Sequence, residues 1–140
     1  MTPNPYQAYQ STQVHTAGTG ELIILLYDGA IRFLSRALLA VQDGRLEQAN
    51  ADLVRGQDIM LELVAGLDFE QGGDLAVNLR DLYLFMYHSL IQANLYKDTG
   101  RIEMVIRLLD RIRGAWRTVV QGAGAPDRED GPRLQGGLAA

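Results

Sequence analysis

A chain of 140 residues with 47% hydrophobic residues is long enough for one domain with a real core and too short for two comfortable ones. The net charge of −4 offers no basic footprint for nucleic acid, and the absence of cysteine removes disulfides, thiolate metal sites and a cysteine nucleophile. The start of the chain lacks the basic-then-apolar build of a signal peptide, and no apolar run approaches the ~20 residues that cross a bilayer, so the expectation is a cytoplasmic protein without membrane insertion.

Residues 1–19 carry Pro3, Pro5, Tyr6 and Tyr9 among Gln, Ser, Thr and Gly. Pro5 suits the first position of a short helical turn, which would set Tyr6 and Tyr9 on one side. The segment is too short to be a stable helix alone, so it reads as an arm that docks on something or as a loose leader with incidental tyrosines.

Thr19 is an acceptable N-cap for a first long helix, Glu21 suits its first turn, and Asp43-Gly44 ends it. Ile23, Leu26, Tyr27, Ala30, Leu34, Ala37 and Val41 form one apolar stripe at helical spacing. Leu22, Ile24, Leu25, Ile31 and Phe33 are surplus to that stripe, and Asp28, Arg32 and Arg36 are the only charges between Leu22 and Val41. Such a helix must be buried on more than one side, by its own fold or by a partner. Gly29, costing ~1 kcal/mol in mid-helix relative to Ala, marks close approach of a neighbour.

A second helix over about 45–66 has the stripe Leu46, Ala49, Leu53, Met60, Leu63 and Leu67, with Gly56 in register. Asp52, Arg55, Asp58 and Glu62 lie on a solvated face. The stretch 68–74, with Gly72-Gly73, is a turn. It is no phosphate loop, because no strand precedes it and no Lys-Ser/Thr follows. A third helix over about 74–98 carries Leu75, Leu79, Leu82, Tyr83, Met86, Leu90 and Ala93, with further apolar residues on other sides, and Thr99-Gly100 breaks it. A fourth helix over about 101–120 has Ile102, Val105, Ile106, Leu109, Ile112, Trp116 and Val119 on one face, with Trp116 as a core plug. From residue 122 the chain is rich in Gly and Pro, with Leu134 and Leu138 as the only large apolar residues, and reads as a disordered tail.

An offset of 56 residues pairs Gly44-Arg45-Leu46-Glu47 with Gly100-Arg101-Ile102-Glu103, Leu26-Tyr27 with Leu82-Tyr83, Leu34 with Leu90 and Leu53 with Leu109. Two helical hairpins of one plan, by ancestry or by shared geometry, account for it. The fold class is therefore all-α: an antiparallel four-helix bundle (residues 20–121) with a short N-terminal arm or helix (1–19) and a disordered C-terminal tail (122–140).

Catalysis and metal binding find nothing to work with, so no enzyme, no cofactor and no metal are expected. His15 and His88 stand in no metal-ligand spacing. Helical phosphotransfer domains carry His-x-x-Lys-Gly, whereas His88-Ser89-Leu90-Ile91-Gln92 supplies no cation for a phosphoryl group. Scattered carboxylates assemble no nucleophile-base pair. What remains is recognition by surplus apolar surface.

Asn4-Pro5-Tyr6-Gln7-Ala8-Tyr9, the run from Gly20-Glu21-Leu22 through Tyr27-Asp28-Gly29-Ala30 to Leu34, Gly72-Gly73-Asp74-Leu75-Ala76-Val77-Asn78-Leu79 with Leu82-Tyr83, and Ala93-Asn94 with Asp98 occur in order over about residues 4–121. On these residues the chain resembles the bacterial flagellar secretion chaperone family FliS. It departs from the family at Thr19, where Pro is common, and in its longer Gly-rich tail. The resemblance implies a chaperone that holds the disordered C-terminal segment of flagellin over hydrophobic grooves, prevents premature polymerisation and presents the subunit to an export gate component. It further implies an arm bearing Tyr6 and Tyr9 that covers part of the groove in the free protein. The client-binding set by this likeness is Tyr6, Tyr9, Leu22, Ile24, Leu25, Tyr27, Asp28, Ile31, Asn78, Tyr83 and Asn94. Tyr27 and Tyr83 have core packing with a satisfied hydroxyl as their alternative, and Asn78 and Asn94 have internal capping. The competing function is a generic structural or oligomerising bundle, and sticky helices permit a homodimer.

Overall fold

The computed structural model describes the backbone of residues 5–123 and the side chains of residues 19–122. Four helices follow in order: α1 (Pro5–Gln42), α2 (Leu46–Ala65), α3 (Phe69–Tyr96) and α4 (Thr99–Ala123), with no strand among the described residues. They form a ring in which α1 and α3 each pack on both α2 and α4. Neighbours run antiparallel. Across α1 and α2, Gly29 lies beside Ile59 and Leu34 beside Gly56. Across α1 and α4, Gly20 lies beside Val120 and Asp28 beside Arg113. The expected all-α antiparallel bundle is the fold of this chain.

The core follows the apolar stripes. Tyr27, Leu34, Leu53, Met60, Tyr83, Met86, Leu90, Ile102, Val105 and Leu109 are fully buried, and Trp116 closes one end at 3% exposure. Each large side chain contributes about 1.5–3 kcal/mol relative to remaining in water. Gly56 is the tightest point of this core: a methyl group added there would come within 2.7 Å of Leu34 Cδ2.

Helix boundaries differ from the sequence expectation in three places. First, α1 is unbroken from Pro5 to Gln42, so Thr19 is not its N-cap. No proline after Pro5 interrupts the ladder, and Gly20 faces Val120 of α4, where a methyl group would lie 2.7 Å from Val120 Cγ2. A glycine that costs ~1 kcal/mol by propensity is thus kept helical by a neighbour that needs the space. Second, the turn at 68–74 contains a helical turn of its own. The Asp68 side chain accepts from the amides of Glu70 and Gln71, and the kink falls at Gly73 (φ 53°, ψ −130°), a region essentially reserved for glycine. Third, α3 ends at Lys97 (φ 52°) and not at Thr99-Gly100. Lys97 Nζ donates to the carbonyl and side-chain oxygens of Asn94, holding this left-handed residue, and Asp98 accepts from the Arg101 amide to start α4. Gly100 therefore lies inside α4, while Gly44 (φ 76°) is the left-handed end of α1.

Two positions of α2 exchange places. Leu46, expected in the core, is 51% exposed at the first turn, whereas Asp52, expected on the solvated face, is 3% exposed. Asp52 stands between Ala49 and Gly56 on the packing stripe; Gln48 donates to its carboxylate at 3.0 Å and Arg36 approaches at 3.7 Å. Gly29 is buried but not crowded: an added methyl group would meet Ile59 Cδ1 at 3.5 Å, ordinary van der Waals contact. Residues 1–4 and the tail 124–140 lie outside the described residues.

Candidate functional site

Along the seam of α1 and α2 runs an open groove of about 590 Å³. Leu22, Leu25, Leu26, Gly29 and Phe33 line it from α1, and Ile59 faces them from α2. The absent side chain of Gly29 leaves the floor low where the two helices meet. Four charges rim the groove: Asp28 and Arg32 on α1, Arg55 and Asp58 on α2. Phe33 lies at one end beneath three guanidinium groups, Arg32, Arg36 and Arg55, at 5.9, 6.0 and 5.5 Å from its ring centre. Such contacts contribute ~0.5–1 kcal/mol each at exposed sites and fix a positive cluster around an aromatic face. Among the described residues Arg32 and Arg55 make no ion pair.

The residues singled out in the sequence fall into separate environments. Leu22, Leu25 and Asp28 are brought together in the groove. Ile24 and Ile31 are half-buried against the core and do not line it. Asp28 has a second task, accepting from Arg113 Nη1 of α4 at 2.7 Å with Arg117 at 3.6 Å. The hydrogen bond to Asp28 raises the Arg113 pKa above its ordinary value. Tyr27 and Tyr83 lie in the core, fully and almost fully buried, with their hydroxyls 2.5 Å apart. Burial drives the Tyr27 pKa far up and pushes that of Tyr83 up to about 12; Trp116 beside them favours ionisation of both but does not outweigh desolvation. These two therefore take the core alternative. Asn78 is exposed on α3, outside the groove. Asn94 donates to Asn50 of α2 at 2.7 Å and receives Lys97, an internal tie at one end of the α2–α3 seam. Tyr6 and Tyr9 fall on the first turns of α1, and their side chains lie outside the described residues.

Phe33, read as surplus, Arg55 and Asp58, read as a solvated face, and Ile59 belong to the groove but were left out of the client-binding set. The spacing of Arg55, Asp58 and Ile59, one turn apart on a helix antiparallel to the first, was the available signal. Among the described residues no cluster of His, Cys, Asp and Glu could hold a metal ion, and no helix is long and apolar enough to cross a membrane. His88 is exposed, edge-on to the Tyr87 ring at 5.4 Å. An apolar trough with a mixed-charge rim can bury the face of an amphipathic segment and set its orientation.

Comparison with known proteins gives one answer. Residues 2–123 match the family described as flagellar protein FliS. The chain is 39% identical over 114 residues to the flagellar secretion chaperone FliS of Salmonella typhimurium, covering 81% of this chain and 84% of that protein. It is 35% identical over 118 residues to the flagellar secretion chaperone FliS of Bacillus subtilis, covering 84% and 87%. The counterpart of the same name from Campylobacter jejuni is 36% identical over 114 residues, covering 81% and 89%.

Proposed function

Because the chain belongs to the FliS family of flagellar secretion chaperones, we propose that it is a cytoplasmic export chaperone whose client is flagellin. It binds the disordered C-terminal segment of flagellin, keeps the subunit from polymerising before export, and delivers it to a component of the flagellar type III export gate. The observation that carries this reading is the α1–α2 groove, an apolar trough with Leu25 still 37% exposed in the free protein. Surface of this kind is a liability unless a partner covers it. Each large client side chain fully buried there contributes about 1.5–3 kcal/mol, so a few anchors suffice to offset the ordering of a disordered segment.

Within this reading Leu22 and Leu25 make the apolar contact and Asp28 sets register. Tyr6 and Tyr9 extend the client surface along the N-terminal turns of α1, and Asn78 offers a second, polar contact on α3. Ile24 and Ile31 support the groove wall. Tyr27, Tyr83 and Asn94 shape the bundle that presents it.

Calorimetric titration with a synthetic peptide from the C-terminus of flagellin tests the reading. Binding with a negative heat-capacity change is expected, and Leu22→Asp with Leu25→Asp should weaken it at least tenfold (~1.4 kcal/mol) while the helical circular dichroism stays intact. No heat at tens of micromolar peptide would leave a structural or oligomerising bundle as the function.

A further inference from the structure

We infer that the outer face of α3 is a contact between two copies of this chain, packed antiparallel about a two-fold axis level with Met86. Val77, Asp81, Leu84, His88, Ile91 and Leu95 follow one another at intervals of 4, 3, 4, 3 and 4 residues, the spacing of a coiled-coil seam. Leu79, Met86 and Ala93, on the opposite side of the helix, are buried in the bundle, so the seam points outward. None of its four apolar residues packs against the bundle core, and Leu95 is 68% exposed. Apolar surface in such a continuous line is a docking feature. Because α3 stands diagonal to α1, a partner here leaves the α1–α2 groove open, and the contact does not depend on flagellin as the client.

The two polar residues of the seam choose the occupant and its direction. A parallel pair would set Asp81 against Asp81, like charges across the contact. In the antiparallel pair Val77 meets the partner's Leu95, Leu84 meets the partner's His88, and Asp81 meets the partner's Ile91. Only this register pairs all six seam residues with one another. It also brings Asp81 within three residues, about 4.5 Å of helix rise, of the level of the partner's His88. Arg80 holds Asp81 Oδ1 at 3.1 Å, which leaves Oδ2 to accept from an imidazole N–H. The two-fold axis makes that contact twice, so the face is complementary to itself. Beyond the seam Asp74 meets the partner's Asp98, a carboxylate that Arg101 already holds at 3.2 Å. Fewer than three heptads make a weak pair, so association depends on concentration.

The chain has no cysteine, so single introduced cysteines report the arrangement cleanly. Asn78→Cys and Gln92→Cys flank the seam at positions that meet across the antiparallel pair, whereas like positions lie about 24 Å and about 18 Å apart along the axis. Under mild oxidation the mixture of the two variants should therefore cross-link several-fold more than either alone. Sedimentation equilibrium of the full native chain should show a mass climbing from 15.5 kDa toward twice that value as concentration rises from micromolar to submillimolar. Ile91→Glu with Leu95→Glu should abolish the climb while the helical circular dichroism stays intact. Asp81→Lys, a change at an exposed position, should by itself weaken association several-fold. A mass fixed at 15.5 kDa, self-cross-linking of either cysteine variant as strong as that of the mixture, or association unchanged by Asp81→Lys overturns the inference. So does association that survives the paired Glu substitutions.

Discussion

The hydroxyl of Tyr27 meets the hydroxyl of Tyr83 at 2.5 Å in the middle of the bundle, across 56 residues of sequence. That interval is the repeat offset, so the two tyrosines are equivalent residues of two similar hairpins meeting on the diagonal between α1 and α3. Either hydroxyl can donate, and each is the other's partner in a place water does not reach. Tyr83→Phe should therefore cost about 1–3 kcal/mol, the penalty for a buried hydroxyl losing its partner. The Tyr27→Phe and Tyr83→Phe double variant should cost less than the sum of the singles. Urea midpoints of the four proteins read this coupling; strict additivity would disprove it.

The same pair sets an alkaline limit. Burial raises both folded-state pKa values, Tyr83 to about 12, above the ordinary value of 10.0. Folded tyrosines hold their protons where unfolded ones release them. Their contribution is thus complete below pH 10 and is lost as pH rises from 10 toward 12, with a slope of about 1.4 kcal/mol per pH unit for each. Denaturant titrations at pH 9, 10 and 11 should show stability falling more steeply for the native sequence than for the double Phe variant.

Asp28 ties α1 to α4 as well as rimming the groove. Arg113 Nε is buried without a hydrogen-bond partner, so this guanidinium depends on what Asp28 and Asp110 give it. With both side chains partly exposed, Asp28→Asn should cost about 1–2 kcal/mol, more than a fully solvated pair and less than a fully buried one. Thermal melts in low and high salt check it: the native protein should lose more of its advantage in high salt.

Glycines in the same bundle should respond in opposite directions. Gly29→Ala fits without displacement and should stabilise by up to ~1 kcal/mol through helix propensity, while raising the groove floor and weakening any groove ligand. Gly56→Ala drives a methyl group into fully buried Leu34. Overpacking of ~1–3 kcal/mol opposes a propensity gain of ~1 kcal/mol there, giving a net loss of up to about 2 kcal/mol. Paired denaturation curves decide whether the signs differ.

Periodicity made the bundle legible because each helix shows its packing stripe directly: Leu53, Met60 and Leu63 on α2, Ile102, Val105 and Leu109 on α4. Residue type misled where it competed with position. Asp52 carries a charge and so reads as solvated, yet its place between Ala49 and Gly56 decides its burial. Leu46 is apolar, but at the first turn of α2 little stands opposite it. The groove was half legible. Leu22, Leu25 and Phe33 could be found as surplus on one helix and Asp28 came from the family likeness, whereas Arg55, Asp58 and Ile59 join them only once the antiparallel register is fixed. Glycine likewise speaks through its neighbours: Gly29 and Gly56 look alike in sequence, and only the second is crowded.

Trp116 is the only tryptophan of the chain, 3% exposed beside the tyrosine pair. Its emission is thus a built-in gauge of the bundle interior, free of interference from other indoles. It should be blue-shifted in the folded protein and move to the red as the bundle opens. It should dim when neighbouring tyrosines ionise, and stay unchanged when a ligand fills the groove on α1 and α2. One optical signal then separates loss of the scaffold from occupation of the site.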